Sequence, residues 1–368
     1  MNEIEIGRTK HARQAFSFDD ISVVPSRRTR SPEDVSLAWK IDAYSFDHPI
    51  VAAPMDSIAS PESVIEIAGL GGLSILDLEG LWTRYEDPTE AYAKIASNTS
   101  ADGNRVIQKV YSEPIKPELV ASRIAQLRAA GITVAGALSP QRTLEFHKTL
   151  VSAGVDIFVI RGTTLSAEHV SSNDQALNLK QFIYELDVPV IAGGVASYKA
   201  ALHLMRSGAA GVLVGFGGGA THTTADVLGL RVPMATAVAD VAAARREYMD
   251  ESGGRYVHVI ADGAMGRSGD MVKALACGAD AVMVGSPLAR ATNVPGHGRH
   301  WGREASHGDL PRGHIADFGT AGTLAEIIAG PSHTSDGTMN LLGAIRKSIA
   351  TCGYSDLKEF QKVEIIVN

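Results

Sequence analysis

The sequence predicts a (β/α)8, or TIM, barrel, and three observations carry that prediction. Short apolar runs recur along the chain, a helical stretch follows most of them, and several of those stretches close on a glycine. The runs occupy residues 49–53, 73–76, 134–138, 157–160, 189–192, 211–214, 257–260 and 281–284. They are nearly continuous in apolar residues rather than alternating, the pattern of strands buried on both faces of a parallel sheet. Helical stretches at 61–70, 117–130, 177–186, 199–207 and 269–277 lie between or after them. Gly71, Gly131, Gly208 and Gly278 stand where such helices stop. A closed barrel uses all of these units; an open, doubly wound sheet is the structural alternative.

Two segments break the repeat. Residues 77–116 are polar and are expected to form helices capping the barrel between the second and third strands. Residues 291–340 are rich in Gly, His, Thr and Pro and lack periodicity, and so long a segment is usually functional. No linker divides the chain, so residues 1–368 are read as a single domain.

Charge and composition narrow the function. The net charge of −7 includes no dense basic run, which argues against a nucleic-acid partner. A bound phosphate must then be held by backbone N–H groups and helix ends. The two cysteines, Cys277 and Cys352, in a chain this long point to a reduced, cytoplasmic setting. The first residues carry no apolar signal core, and no apolar run is long enough for a membrane span.

In a barrel of this kind the active site lies at the C-terminal ends of the strands, with phosphate commonly bound after the seventh and eighth. The seventh run ends in Ala261-Asp262-Gly263-Ala264-Met265-Gly266 and the eighth in Gly285-Ser286-Pro287. Small residues there let the backbone approach an oxyanion closely. Asp262 is placed to accept two ribose hydroxyls, or else to cap the helix that follows. After the sixth run comes the glycine-rich loop Gly215-Phe216-Gly217-Gly218-Gly219-Ala220-Thr221-His222-Thr223-Thr224. His222 is either a working histidine on that loop or a solvent-exposed one.

These residues together resemble the IMP dehydrogenase/GMP reductase family along nearly the whole chain. The match is nearest to the bacterial IMP dehydrogenase-like proteins that lack an inserted pair of CBS domains. The matching pieces are Phe18-Asp19-Asp20-Ile21 with Val24-Pro25, Ala53-Pro54-Met55-Asp56, Gly71-Gly72-Leu73, Ile191-Ala192-Gly193-Gly194, the glycine loop, Ile260-Ala261-Asp262-Gly263 and Gly285-Ser286. The ending Gly353-Tyr354-Ser355-Asp356-Leu357-Lys358-Glu359-Phe360 is similar to that subgroup as well.

The resemblance implies a purine nucleoside monophosphate as ligand. Asp262 would take its ribose, the backbone at Gly263, Ala264, Gly285 and Ser286 its phosphate, and Met55 and Gly217 would lie near the base. It further implies hydride transfer between purine C2 and NADPH or NADH, with the cofactor beside Arg161, Thr163 and Gly215. A homotetramer and a monovalent cation such as K+, held by carbonyls of Gly217, Gly219 and His222, complete the set.

The sequence also departs from the family. Where the family's loop carries Cys-Thr-Thr-Arg, this chain has His222-Thr223-Thr224-Ala225. Neither Cys277 nor Cys352 falls on that segment, so the family's covalent thiolate chemistry is not expected. Ala264 replaces a glycine, tolerable if its φ is negative, and Val195 follows Gly193-Gly194 in place of an asparagine. Arg161 stands where dehydrogenases carry an aspartate against the nicotinamide ribose; it either favours a phosphorylated cofactor or closes that side. No Arg–Tyr flap is recognisable between residues 300 and 340.

The implied activity is therefore GMP reductase-like. His222 would donate a proton, Thr223 would position the leaving amine, and a 7-deazaguanine nucleotide would be an alternative substrate. A nucleotide-binding pseudoenzyme that regulates a relative, and an IMP dehydrogenase, are the competing readings.

Overall fold

A computed structural model describes residues 3–98, 103–170, 172 and 177–368. The expected barrel forms. Its strands are β1 (Ile50–Ala52), β2 (Leu73–Asp77), β3 (Ala135–Leu138), β4 (Ile157–Arg161), β5 (Val190–Val195), β6 (Gly211–Val214), β7 (His258–Asp262) and β8 (Ala281–Val284). All pair in parallel, in chain order, and β8 closes on β1 with Val282 opposite Ile50. Closure leaves no edge strand to protect. The outer helices are α1 (Pro61–Gly69), α2 (Pro117–Ala129), α3 (Pro140–Ala153), α4 (Leu179–Tyr184), α5 (Tyr198–Arg206), α6 (Met234–Glu251), α7 (Ser268–Ala276) and α8 (Leu341–Thr351). Among the described residues no helix is long and apolar enough to cross a membrane.

Local chemistry sets the boundaries. Pro61 opens α1, and the Ser60 hydroxyl accepts the Ser63 N–H at 3.2 Å, satisfying one of the unpaired donors of the first turn. The helix is left through Gly71, whose φ is +91°. A Cβ at Gly71 would also lie 2.6 Å from a carboxylate oxygen of Asp47, so only glycine suits both the turn and its neighbour. Apart from the polar ends of β4 (Arg161) and β7 (His258 and Asp262), the strands are buried, as their apolar runs required: Ile50, Val51 and Ala52 of β1 have no exposed surface.

The two irregular segments form a roof over the C-terminal ends of the strands. Between β2 and α2 lie helices Thr89–Ala96 and Gly103–Val110. After β8 come a two-stranded ribbon (Arg299–His300 with Ala316–Asp317), a 3-10 turn (Arg303–Ser306) and helix Leu324–Ala329. Apolar residues spread through both segments meet in a second cluster around Ile95, Ile107, Tyr111, Trp301 and Ile315. The full burial of Ile95 and Ile107 contributes about 1.5–3 kcal/mol each. The Trp301 Nε1–H donates to the Tyr111 hydroxyl at 3.0 Å, and that hydroxyl donates to Asp56 at 2.6 Å. Asp56 follows β1, so this chain of bonds fastens the roof to the barrel.

Candidate active site

The tips of β6, β7 and β8 converge on one cavity of about 330 Å³, within the range of small-ligand sites, roughly 300–1,000 Å³. Gly263, Ala264, Gly285, Ser286, Met55 and Asp262 line it. So do Arg161, Thr163, Gly215, Gly217, Gly219 and His222. Two of the loops are stitched together, because the Ala264 N–H donates to the Gly218 carbonyl at 3.1 Å. Ala264 has φ +57°, so the condition set by its sequence is not met. An L-residue held there stores about 1–2 kcal/mol of strain. At Gly219 a Cβ would lie 2.8 Å from the His222 ring, so the loop can fold over the imidazole only because that residue lacks a side chain.

A buried group of charges forms the floor of the cavity. Arg161, at the end of β4, places Nε 3.3 Å from Asp262 Oδ2 and Nη1 3.6 Å from Glu304 Oε1. Arg161 was expected either to favour a phosphorylated cofactor or to close that side; its guanidinium faces these two carboxylates. Glu304 Oε2 lies 3.9 Å from His222 Nδ1. Burial pushes the Glu304 carboxyl up, but charge on His222 and then Arg161 outweighs it and holds the group down at about 2. Glu304 is delivered by its neighbour in sequence: Arg303 bonds Asp77 at 3.1 Å and Glu79 at 3.0 Å, pinning the 3-10 turn to the end of β2.

The sequence singled out neither Glu304 nor three other residues of this cavity. His300 is buried, its Nδ1 2.8 Å from the Ser57 hydroxyl; burial, then charge on His222, pushes its titration down to about 3, so it is neutral. Arg231 lines the mouth and, among the described residues, makes no ion pair. Thr224 is fully buried against the cavity with an unpartnered hydroxyl. Thr223, the expected partner of the leaving amine, does not line the cavity. The Thr223 N–H donates to the Arg312 carbonyl at 3.0 Å and the residue caps the helix Thr224–Leu228, whose first residue, Thr224, lines the cavity. A lone run of two threonines gives no sign of which one faces inward. The proposed cation carbonyls are partly engaged, since Gly219 accepts the His222 N–H at 3.1 Å.

A second cavity, of about 480 Å³, adjoins the first at Phe216 and is bordered by Thr164, Lys199 and His203. Near it, Arg312 donates from Nη2 to the Thr163 hydroxyl at 3.2 Å while its Nε is buried without a partner.

One end of the barrel thus gathers an imidazole, two carboxylates and glycine-rich turns in one cavity. The comparisons name the family. A family model for the IMP dehydrogenase / GMP reductase domain matches residues 15–305. A protein of Mycolicibacterium smegmatis described as an uncharacterized oxidoreductase is 50% identical over 372 residues, covering 99% of both chains. The inosine-5′-monophosphate dehydrogenase of Cryptosporidium parvum is 30% identical over 296 residues, 78% of this chain and 71% of that one. The crystal structure of an IMP dehydrogenase/GMP reductase-like protein from Corynebacterium glutamicum superposes with a TM-score of 0.95 at 50% identity, covering 100% of this chain and 98% of that one. The chain belongs to the IMP dehydrogenase/GMP reductase family of oxidoreductases, which act on purine nucleoside monophosphates with nicotinamide cofactors.

Proposed function

We propose that this protein is a nicotinamide-dependent reductase acting at C2 of a purine nucleoside 5′-monophosphate, in the manner of GMP reductase. The observation that carries the reading is that His222 and Asp262 share a cavity with the β7 and β8 tips, a cavity that neither cysteine lines. Cys277 caps α7, where burial pushes its thiol up to about 12, and Cys352 caps α8. Acid–base chemistry by the imidazole replaces attack by a thiolate.

In this reading the backbone N–H groups at Gly263, Ala264, Gly285 and Ser286 hold the phosphate. Asp262 accepts the ribose hydroxyls, keeping one oxygen toward Arg161. The base lies by Met55. When bound, a nicotinamide supplies the hydride that C2 receives. The second cavity and the unpartnered Arg312 Nε fit such a cofactor on the Thr163 side. His222 then gives the proton with which the C2 amine departs as ammonia, leaving a 6-oxopurine nucleotide. Thr224, which faces the cavity, takes the positioning role first expected of Thr223. A potassium requirement, through carbonyls of Gly217, Gly219 and His222, and a homotetrameric assembly belong to the same reading.

The test is incubation of the purified protein with GMP, or its 7-deaza analogue, and NADPH or NADH, following the near-ultraviolet absorbance of the reduced cofactor. Oxidation with release of ammonia is expected; no oxidation with any 2-aminopurine nucleotide defeats the proposal. A second reading, favoured by the imidazole in place of a thiol, is a nucleotide-binding regulator. It requires that nucleotide raise the melting temperature and that cofactor add nothing further. An IMP dehydrogenase would instead reduce NAD with IMP.

A further inference from the structure

The imidazole of His222 is only as fixed as the loop that carries it. A strap, residues 303–315, crosses that loop and pairs with it antiparallel, Gly313 standing opposite His222. The Thr223 N–H donates to the Arg312 carbonyl at 3.0 Å and the His314 N–H to the Thr221 carbonyl at 2.9 Å, so the main chain is tied to the strap on both sides of the histidine. His222 and Gly313 are thus the pair that exchanges no bond, and the Gly313 carbonyl points away from the loop. A side chain has no room there, since a Cβ on Gly313 would lie 2.9 Å from the Thr221 carbonyl oxygen. The group that meets the outward carbonyl is Asn104, whose Nδ2 donates to it at 2.9 Å.

Asn104 belongs to the roof helix Gly103–Val110 and does not line the cavity. Gln108, on the same face one turn later, donates from Nε2 to the His307 carbonyl at 3.2 Å. A Cβ on Gly103 would lie 2.9 Å from Ile315 Cδ1, so the start of the helix lies directly against the strap. The roof therefore grips the outer edge of the strap while its inner edge grips the histidine loop. We infer that Asn104 is a positioning residue for His222: by holding the Gly313 carbonyl it fixes the strap, and through the strap the main chain that carries the imidazole. The inference rests on the reading that His222 gives the proton with which the amine departs.

Asn104→Asp separates positioning from packing. It keeps the shape of the side chain and puts a negative charge in the first turn of the helix, which favours the helix. It also replaces the N–H donor by an oxygen that the Gly313 carbonyl repels. Asn104→Ala removes the donor without adding charge. Amide exchange of the unliganded proteins, read by mass spectrometry on peptides covering residues 216–226, should be faster in both variants by roughly fivefold, the worth of one hydrogen bond in a local opening, with the barrel strands unchanged. With GMP and NADPH, kcat should fall about tenfold in both variants. The KM for the nucleotide, held at the tips of β7 and β8, should stay within about twofold of wild type. Loop exchange at the wild-type rate, unaltered kcat in Asn104→Asp, or faster exchange spread over the strands as well overturns the inference. A wild type that oxidises no cofactor defeats the proposed function instead, and the exchange measurement then decides by itself whether Asn104 holds the loop.

Discussion

Arg161→Met isolates the ion pairs on the cavity floor. The guanidinium lies 3.3 Å from Asp262 and 3.6 Å from Glu304, and the three side chains are 14%, 16% and 15% exposed. At an effective dielectric of about 20, each contact is worth roughly 4.5–5 kcal/mol before desolvation. Desolvation offsets much of that, but removing the guanidinium leaves both carboxylates buried without that partner. Breaking a buried pair in this way costs about 3–5 kcal/mol, and the partial exposure here places the expected loss near the lower end. The pH dependence follows from Glu304, whose folded-state carboxyl is held at about 2, below its ordinary value of about 4.3. A depressed carboxyl stabilises the fold above its unfolded value and loses that contribution as pH falls through the folded one. Without Arg161 the folded value moves back up. The gap between wild type and variant should therefore be full near neutrality and close between about pH 4.5 and pH 2. Urea unfolding of both proteins at several pH values between these limits measures it. A gap below about 1 kcal/mol at neutral pH, or one that does not narrow on acidification, refutes the reasoning.

Two further substitutions probe the same cavity. Gly302→Ala keeps an ordinary extended backbone (φ −106°, ψ 158°) but drives a methyl into Glu304 Oε2. Displacing a reactive group by a few tenths of an ångström lowers turnover about tenfold, with little change in thermal stability; unaltered kinetics would show that Glu304 lies outside the reacting centre. Ala264→Gly releases the strain of φ +57°. Against about 1–2 kcal/mol of strain stands about 0.4–1 kcal/mol of added chain entropy in the unfolded state. The urea midpoint should thus rise slightly, and a fall would contradict the strained geometry.

The barrel was legible because the strand interiors are buried on both faces and so are apolar, with charged residues such as Asp77, Arg161 and Asp262 confined to the strand ends. The run read at 281–284 is β8 residue for residue. The glycine-rich turns after β7 and β8 were legible for a related reason, since the C-terminal ends of parallel barrel strands lie on one rim. Helix α6 is harder to see: its alanine-rich sequence, with Ala237, Ala242 and Ala244 buried, gives little contrast between faces. Glu304 was illegible for a different reason. Its position depends on contacts such as Trp301 with Tyr111, separated by 190 residues, in a segment without periodicity. Likewise the partner of Arg161 lies 101 residues away, so sequence offered the charge but not its destination. Between Thr223 and Thr224 the decision came from pairing with residues 312–314, a tertiary event that local pattern cannot foresee.

Because the roof has an apolar cluster of its own, separate from that of the barrel, its unfolding need not take the barrel with it. Such a unit can open at a lower free energy than global unfolding. Damage at Trp301 should therefore show first as faster amide exchange over the rim and as entry of water into the cavity beneath it, while the strands stay protected.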